Sequence, residues 1–345
     1  MLRPNYVLEV GSERFTPDSE YGMLSLDVSL HIGFPIDSLK ALFVTRKELP
    51  FLSGDPVKLQ LGYDENLTPV FQGFLGDIEY DLSKMRLTAF GYSKRLVDLR
   101  LNSVYLNQSA GAIVQDLASI TEVEVEECKD GITFPMYTID DGSNAYEHIV
   151  RLARRCGFDV YMTDAGKLVF KDYTGEKVHK LEFGKEILHI DAIDRLPPFP
   201  GLLVFGESPS SFRGAETYHW LTKREVKKGW GVGIEIDGTR IPGITIHDPT
   251  IRSSELAQSI VEEEARHLWQ FILTIDVVGN PEIKLGDSVN IMGFDNQEIN
   301  GTYQVIGVRH YLSNTKGFIT TIEGRRGGKK VVKLTPFRKT FEIEI

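Results

Sequence analysis

The spacing of apolar positions changes along the chain, and those changes divide it. Residues 5–11 and 22–34 alternate apolar and polar side chains, as in "MLSLDVSLHIGF". That two-residue period predicts half-buried strands. "IDSLKALFVTRKELPFLSG" is less regular and predicts a loop or a short helix. Three more strand-like runs lie between Pro56 and Gly91: "VKLQLGY", "VFQGFLGDIEYDL" and "KMRLTAFGY". Residues 1–103 therefore read as one antiparallel β unit.

Helical spacing then appears. In "SAGAIVQDLASITEVEVEEC" the apolar residues Ile113, Val114, Leu117 and Ile120 share a helix face, with Ser109 as N-cap. "SNAYEHIVRLARRCGFDVYMTDAGKLVFKDY" repeats the plan. Ser143 is the expected cap, Ile149, Val150, Leu152 and Ala153 the apolar face, and Gly157 the C-terminal stop. A hairpin turning near Asp164-Ala165-Gly166 follows. Residues 104–175 thus predict a small α+β domain of two helix–strand units. Strands resume over 176–206 with "HKLEFG", "ILHIDAI" and "GLLVFGE". Residues 207–268 form an insertion with a strand pair around "GWGVGIEIDGTRIPGI" and a helix beginning at "SSELAQ". Residues 269–330 return to strands, and 331–345 form a tail.

Two stretches share one plan. "GDPVKLQLGYDENLTPVFQGFLGDI" begins at Gly54, and "GDSVNIMGFDNQEINGTYQVIGV" begins at Gly286. Gly54-Asp55 matches Gly286-Asp287, Val57 matches Val289, and Leu59 matches Ile291. Gly62-Tyr63-Asp64 matches Gly293-Phe294-Asp295, and Phe71-Gln72 matches Tyr303-Gln304. Phe74-Leu75-Gly76 then falls on Val305-Ile306-Gly307, and Thr88 and Gly91 on Thr321 and Gly324. The expectation is two structurally equivalent β units. Val57, Leu59 and Phe74 would point into one interior, and Val289, Ile291 and Val305 into the other. Three copies of such a chain present six equivalent units, which suits an adaptor between threefold and sixfold objects.

Composition narrows the function classes. The chain has 345 residues, 41% hydrophobic and 26% charged, enough for several domains with ordinary cores. Its net charge of −10 argues against direct nucleic-acid binding. Two cysteines, Cys128 and Cys156, do not make a disulfide scaffold and suit a reducing compartment. The N-terminus lacks the apolar core of a signal peptide, and no run is long enough for a membrane span. The expectation is a chain assembled in the cytoplasm.

"GNPEIKLGDSVNI…INGTYQVIGVRHYLSNTKGFITTIEG" resembles the closing segment of contractile-tail baseplate hub proteins. That family includes the phage late-control D proteins and the hub part of type VI secretion spike proteins. The pattern Gly301-x-Tyr303-x-Val305, then Val308-x-His310, a turn and a last strand carries most of the likeness. "YTIDDGSNAYEHIVRLARRCGFDVYMTDAGKLVF" is similar to the same family. The resemblance implies a mainly β fold of two similar antiparallel β-barrel domains, tail-tube-like, with small α+β domains. The first barrel would occupy 1–103, and the second 176–206 with 269–330. It also implies a homotrimer with a central channel, joining a trimeric spike to a sixfold tail-tube ring among other baseplate components. The chain stops at Ile345 without an OB-like or β-helical repeat, so the spike is expected to be a separate polypeptide. The particle would be a phage tail, a tailocin or a contractile injection system.

Candidate chemistry is sparse, and no catalytic, cofactor-binding or metal-binding residue is assigned. The histidines (31, 148, 179, 189, 219, 247, 267 and 310) show no metal-ligand spacing. His310 matches a recurring family histidine, and a packed, hydrogen-bonded role is expected for it. The glycines of "GWGVG" lead into a strand pattern rather than a helix, so they do not form a phosphate cradle. Glu262, Glu263 and Glu264 lie consecutively on a helix and are expected to face solvent. Asp140-Asp141-Gly142 reads as a turn before a helix. "GRRGGKK" reads as a charged linker, and "KTFEIEI" as a terminal strand in need of a partner sheet. No enzyme is expected. The alternative is a tail-associated cell-wall hydrolase or a carbohydrate-binding β module, which a peptidoglycan zymogram or a glycan screen would reveal.

Overall fold

The computed structural model describes residues 3–20, 22–44, 51–175, 177–195, 202–208, 225–230, 235–236, 239–240, 244–248, 251, 254–268 and 270–326. "KTFEIEI" and the end of "GRRGGKK" lie outside the described residues, as does His219. The first unit contains β1 (Pro4–Val10), β2 (Glu13–Phe15), β3 (Gly22–His31), β4 (Ser38–Val44), β5 (Pro56–Tyr63), β6 (Asn66–Asp81) and β7 (Lys84–Gly91). Their spatial order is β3-β4-β7-β6-β5-β1-β2, all antiparallel. β4 corrects the sequence expectation of a loop or short helix. Leu39, Ala41 and Phe43 face the core in strict alternation, but Leu42 on the outer face obscures the pattern.

The α+β part follows with α1 (Ser93–Asp98), β8 (Ser103–Ser109), α2 (Ala110–Ile120), β9 (Val125–Cys128), β10 (Thr133–Ile139), α3 (Ala145–Cys156), β11 (Asp159–Met162) and β12 (Leu168–Lys171). Ser109 caps α2 through the Ala112 amide, as its position implied. α3 is capped by Asn144 rather than Ser143. Asn144 accepts from the Glu147 amide at 2.9 Å, and Glu147 returns a bond to the Asn144 amide, a reciprocal capping box. Gly157 ends α3 in the left-handed region. Both helices bury their apolar faces in one core with Phe134, Tyr137 and Phe170, though Ile120 is half exposed.

The second unit begins with β13 (Val178–Glu182) and β14 (Ile187–Arg195). An insertion then contributes β15 (Leu202–Ser208), β16 (Glu225–Trp230), β17 (Glu235–Ile236), β18 (Thr239–Arg240), β19 (Ile244–His247) and α4 (Ser254–Leu268). β15 was expected in the second barrel. It instead pairs with β16 and β19 in a separate sheet and contributes Val204 to a core with Ile260 and Val261 of α4. An apolar run cannot reveal which sheet it joins. The unit is completed by β20 (Gln270–Val278), β21 (Ser288–Met292), β22 (Gly301–Ser313) and β23 (Gly317–Arg325).

The second unit has the order β14-β20-β23-β22-β21-β13, which repeats β3-β4-β7-β6-β5-β1 strand for strand. One strand is reversed: β13 runs parallel to β21, whereas β1 is antiparallel to β5. The bulges repeat as well. β6 bulges against β7 after Leu75, and β22 against β23 after Val305. β3 bulges after Met23, and β14 after Ile187. A bulge adds twist and re-aims a strand, so equivalent bulges mark equivalent bends.

The Gly-Asp motif has a specific cause. Gly54 and Gly286 adopt φ of +95° and +82°, conformations that side chains disfavour. Asp55 then accepts from the Leu52 amide at 2.8 Å, and Asp287 from the Lys284 amide at 3.1 Å. Gly54 donates to the Leu75 carbonyl and Gly286 to the Val305 carbonyl, at 2.7 and 3.0 Å.

These bonds fix the alignment and correct part of it. Val57 with Val289 and Leu59 with Ile291 hold, and all four are buried. Beyond the turn, Leu75 is equivalent to Val305, and Gly73, not Phe71, to Tyr303. Ala89 likewise falls on Gly324. Phe74 does not enter the interior; Leu75 does, while Phe74 packs on the Tyr92 ring at 6.1 Å. Gly62 is paired within β5–β6, but Gly293 lies past the end of β21.

Candidate assembly surface

The two units are joined edge to edge. The first half of β22 pairs with β21, and after the bulge at Ile306 the second half pairs with β3. Val308, His310 and Leu312 lie opposite Leu30, Val28 and Leu26, and all six are buried. His310 Nδ1 meets Thr320 Oγ1 at 3.0 Å, and burial pushes its pKa down to about 3, so the ring is neutral. This is the packed, hydrogen-bonded role its sequence position suggested. On the outer face Arg309 grips Asp27 with two nitrogens, and His31 Nε2 lies 3.3 Å from Glu323. The carboxyl of Asp37 is buried beside this junction. It accepts from the His31 amide at 3.2 Å, and burial pushes its pKa up to about 7.

A second contact docks the α+β part onto the second unit. Buried Asp159 accepts from Gln304 at 2.6 Å and from Arg325 at 3.0 Å. Lys284 meets Asp164 at 2.8 Å, and within the second unit His179 meets Asp287 at 2.8 Å. Asp159, Gln304 and Asp287 border a cleft of about 140 Å³ that also includes Tyr161, Lys171 and Tyr173. Its charged groups are each paired with a neighbour outside the lining, Asp159 with Arg325, Lys171 with Glu127, Asp172 with Lys129, Lys177 with Glu282 and Asp287 with His179, so the cleft serves to join two parts of the chain.

The other candidates resolve into packing. Among the described residues no group of three or more His, Cys, Asp or Glu is arranged to hold a metal ion. Among them, too, no helix is long and apolar enough to cross a membrane. His148 is buried near Tyr137, and the His247 ring stacks on Phe205. Of the three glutamates only Glu262 is exposed. Glu264 turns toward Arg154 and Arg155 of α3, and burial raises its pKa. The solvated face expected there is thus partly an α3–α4 contact. Arg155 pairs with buried Asp248, which ties α3 to the insertion. Asp140 accepts from the Gly142 amide in the expected turn.

Two strand edges have unpaired backbone. Among the described residues, the outer edge of β14 pairs with no strand beyond the single bridge of Ile187 to Phe183, and from Asp77 to Asp81 β6 pairs with β7 on one side and with no strand on the other. Apolar side chains are exposed beside both. Leu188 and Ile193 stand on β14, Tyr80 on β6, and Leu82 is fully exposed at the hairpin tip. Sequence reasoning missed these edges, although an apolar residue in the turn "DLSK" was a readable signal.

No protein-family model and no curated protein matches the chain. Solved structures do. The 43 kDa tail protein of prophage MuSo2 from Shewanella oneidensis aligns over 93% of this chain and 98% of its own, with TM-score 0.68 and 17% identity. A tail protein from Neisseria meningitidis MC58 aligns over 94% and 97%, with TM-score 0.68 and 17% identity. The chain has a phage tail-protein fold. A type VI secretion component from E. coli, itself structurally similar to bacteriophage T4 tail proteins, matches with TM-score 0.57 and 11% identity over 92% of this chain and 76% of its own.

Proposed function

We propose that this tail-fold chain is the structural hub of a contractile tail or injection-system baseplate. Three copies form a ring around a central channel and adapt a trimeric spike to a sixfold tube. The observation that carries this reading is the repeat. Two units of the same strand order, bulged at the same two places, sit side by side in one sheet. A ring of three such chains offers six near-identical faces to a tube and three distinct ones to a spike. The role is mechanical and non-enzymatic, and its partners are its own copies, the tube ring, the spike and neighbouring baseplate proteins. The test is a reconstruction of the assembled particle that counts copies at the base of the tube. Three copies are expected; one, two or six would overturn the proposal.

A further inference from the structure

Each unit of the repeat has the same two docking elements, yet only one pair of them is used within the chain. The second half of β22 adds to the outer edge of β3. Their counterparts in the other units are the second half of β6 and the outer edge of β14, which are open among the described residues. The bulges set the correspondence. Gly307, the first paired residue after the β22 bulge, matches Asp77, the first after the β6 bulge. Ser25 and His189 match in the same way after the bulges of β3 and β14.

We infer that the β6–β7 hairpin of one copy adds antiparallel to β14 of the next copy, in the register that β22 uses on β3. His310 lies opposite Val28 within the chain. Transferring that register places Tyr80 opposite Ala192 and Leu82 at the level of Ile190. The inference rests on the proposed self-assembly and specifies the surface through which it occurs.

Three features favour a second copy as the occupant. The face that carries His310 and Leu312 is buried against Val28 and Leu26. The matching face of the other two elements is open, with Tyr80 53% and Leu82 100% exposed. Apolar side chains therefore stand where the internal junction would cover them. Both edges also have unpaired backbone groups, which an added strand satisfies. Finally, the contact is head to tail. One copy supplies the hairpin and the other the edge, so repeated addition makes a ring when the rotation closes. One feature opposes it: Asp81 falls opposite Asp191, and directly opposed like charges weaken a strand pair. Salt should therefore tighten the junction, as should Asp81→Asn.

The test uses the full chain with Tyr80→Cys, Ala192→Cys or both, a mild oxidant, and the parent chain as control for Cys128 and Cys156. Opposed strand positions lie within disulfide reach. Mixing the two single variants should give a linked dimer that neither gives alone, and the double variant should give a covalently closed ring. Native mass measured in parallel separates the two ideas. An oligomer that forms without this link overturns the junction and leaves self-assembly standing; coverage of β14 by residues 331–345 of its own chain would give that result. A linked ring of other than three copies supports the junction and overturns the trimer. A chain that stays monomeric and unlinked up to high concentration overturns both. Leu82→Lys alters only an exposed tip, so it should leave folding intact and abolish assembly; assembly unchanged by it would also count against the junction.

Discussion

Arg309 and Asp27 lie 282 positions apart in sequence and form a two-pronged ion pair, Nε and Nη2 each 2.7 Å from a carboxylate oxygen. They bracket the strands that join the two units. Both side chains are partly solvated, so solvent screening limits the gain. Arg309→Ala and Asp27→Ala should each lower stability by about 0.5–1 kcal/mol, with the double variant no worse than either alone. Urea denaturation of the four proteins checks this. Fully additive losses would show that the pair contributes nothing as a pair.

Gly54 and Gly286 should respond differently to alanine. Both have positive φ, which costs a side chain about 1–2 kcal/mol. A Cβ at Gly54 meets nothing within 4 Å, but at Gly286 it would lie 2.5 Å from the Tyr161 hydroxyl. Gly286→Ala should therefore lower the melting temperature more than Gly54→Ala, and Tyr161→Phe should narrow the gap. Equal losses would contradict the docking described for Tyr161.

Asp37 and His310 should give stability opposite pH slopes. Asp37 stays protonated in the fold up to about pH 7 but ionises near 4 when unfolded. Between those values the folded state binds more protons, so this contribution falls as pH rises. His310 is neutral in the fold down to about pH 3 but protonates below about 6.5 when unfolded, so its contribution falls as pH drops. Asp37→Asn removes only the first slope. Relative to the parent, the variant should gain stability from pH 4.5 to 6.5, by at most about 1.4 kcal/mol per unit. Urea midpoints at the two pH values measure it, and a pH-independent difference would mean that Asp37 is ionised in the fold.

Val57 and Val289 are 1% and 0% exposed and belong to one continuous core. Replacing either with Asp loses burial and places a carboxyl among apolar side chains, for about 4 kcal/mol or more in all. Either variant should lose its cooperative thermal transition, while Val57→Ile and Val289→Ile should keep it. A soluble, fully folded Val289→Asp protein would contradict the core assignment.

The sequence revealed much of this architecture and concealed the rest for identifiable reasons. The Gly54-Asp55 and Gly286-Asp287 turns were legible because positive φ and a side-chain cap restrict residue choice. Beyond them the alignment slipped by two at Tyr303 and Gly324 and by one at Val305. A two-residue shift leaves every side chain on its own face, so alternation cannot detect it, whereas the Leu75 and Val305 hydrogen bonds can. Phe74 was misplaced because the strand's facing had to be guessed from two adjacent apolar residues. The junction itself was invisible, since nothing in the pattern of β22 says that it changes neighbours halfway along. Leu82 in the turn hinted at the open edge of β6, but its match with the edge of β14 could be recognised only once β3 and β22 supplied the comparison.

The bulge at Ile306 lets one strand belong to two units, and seven paired positions of β22 and β3 then hold them together. Pulling the units apart along the strand direction loads all seven rungs at once, in shear. Pulling across the sheet would open them one at a time, like a zipper. The joint is therefore stiff in one direction and weak in the other, a directional hinge set by a single extra residue.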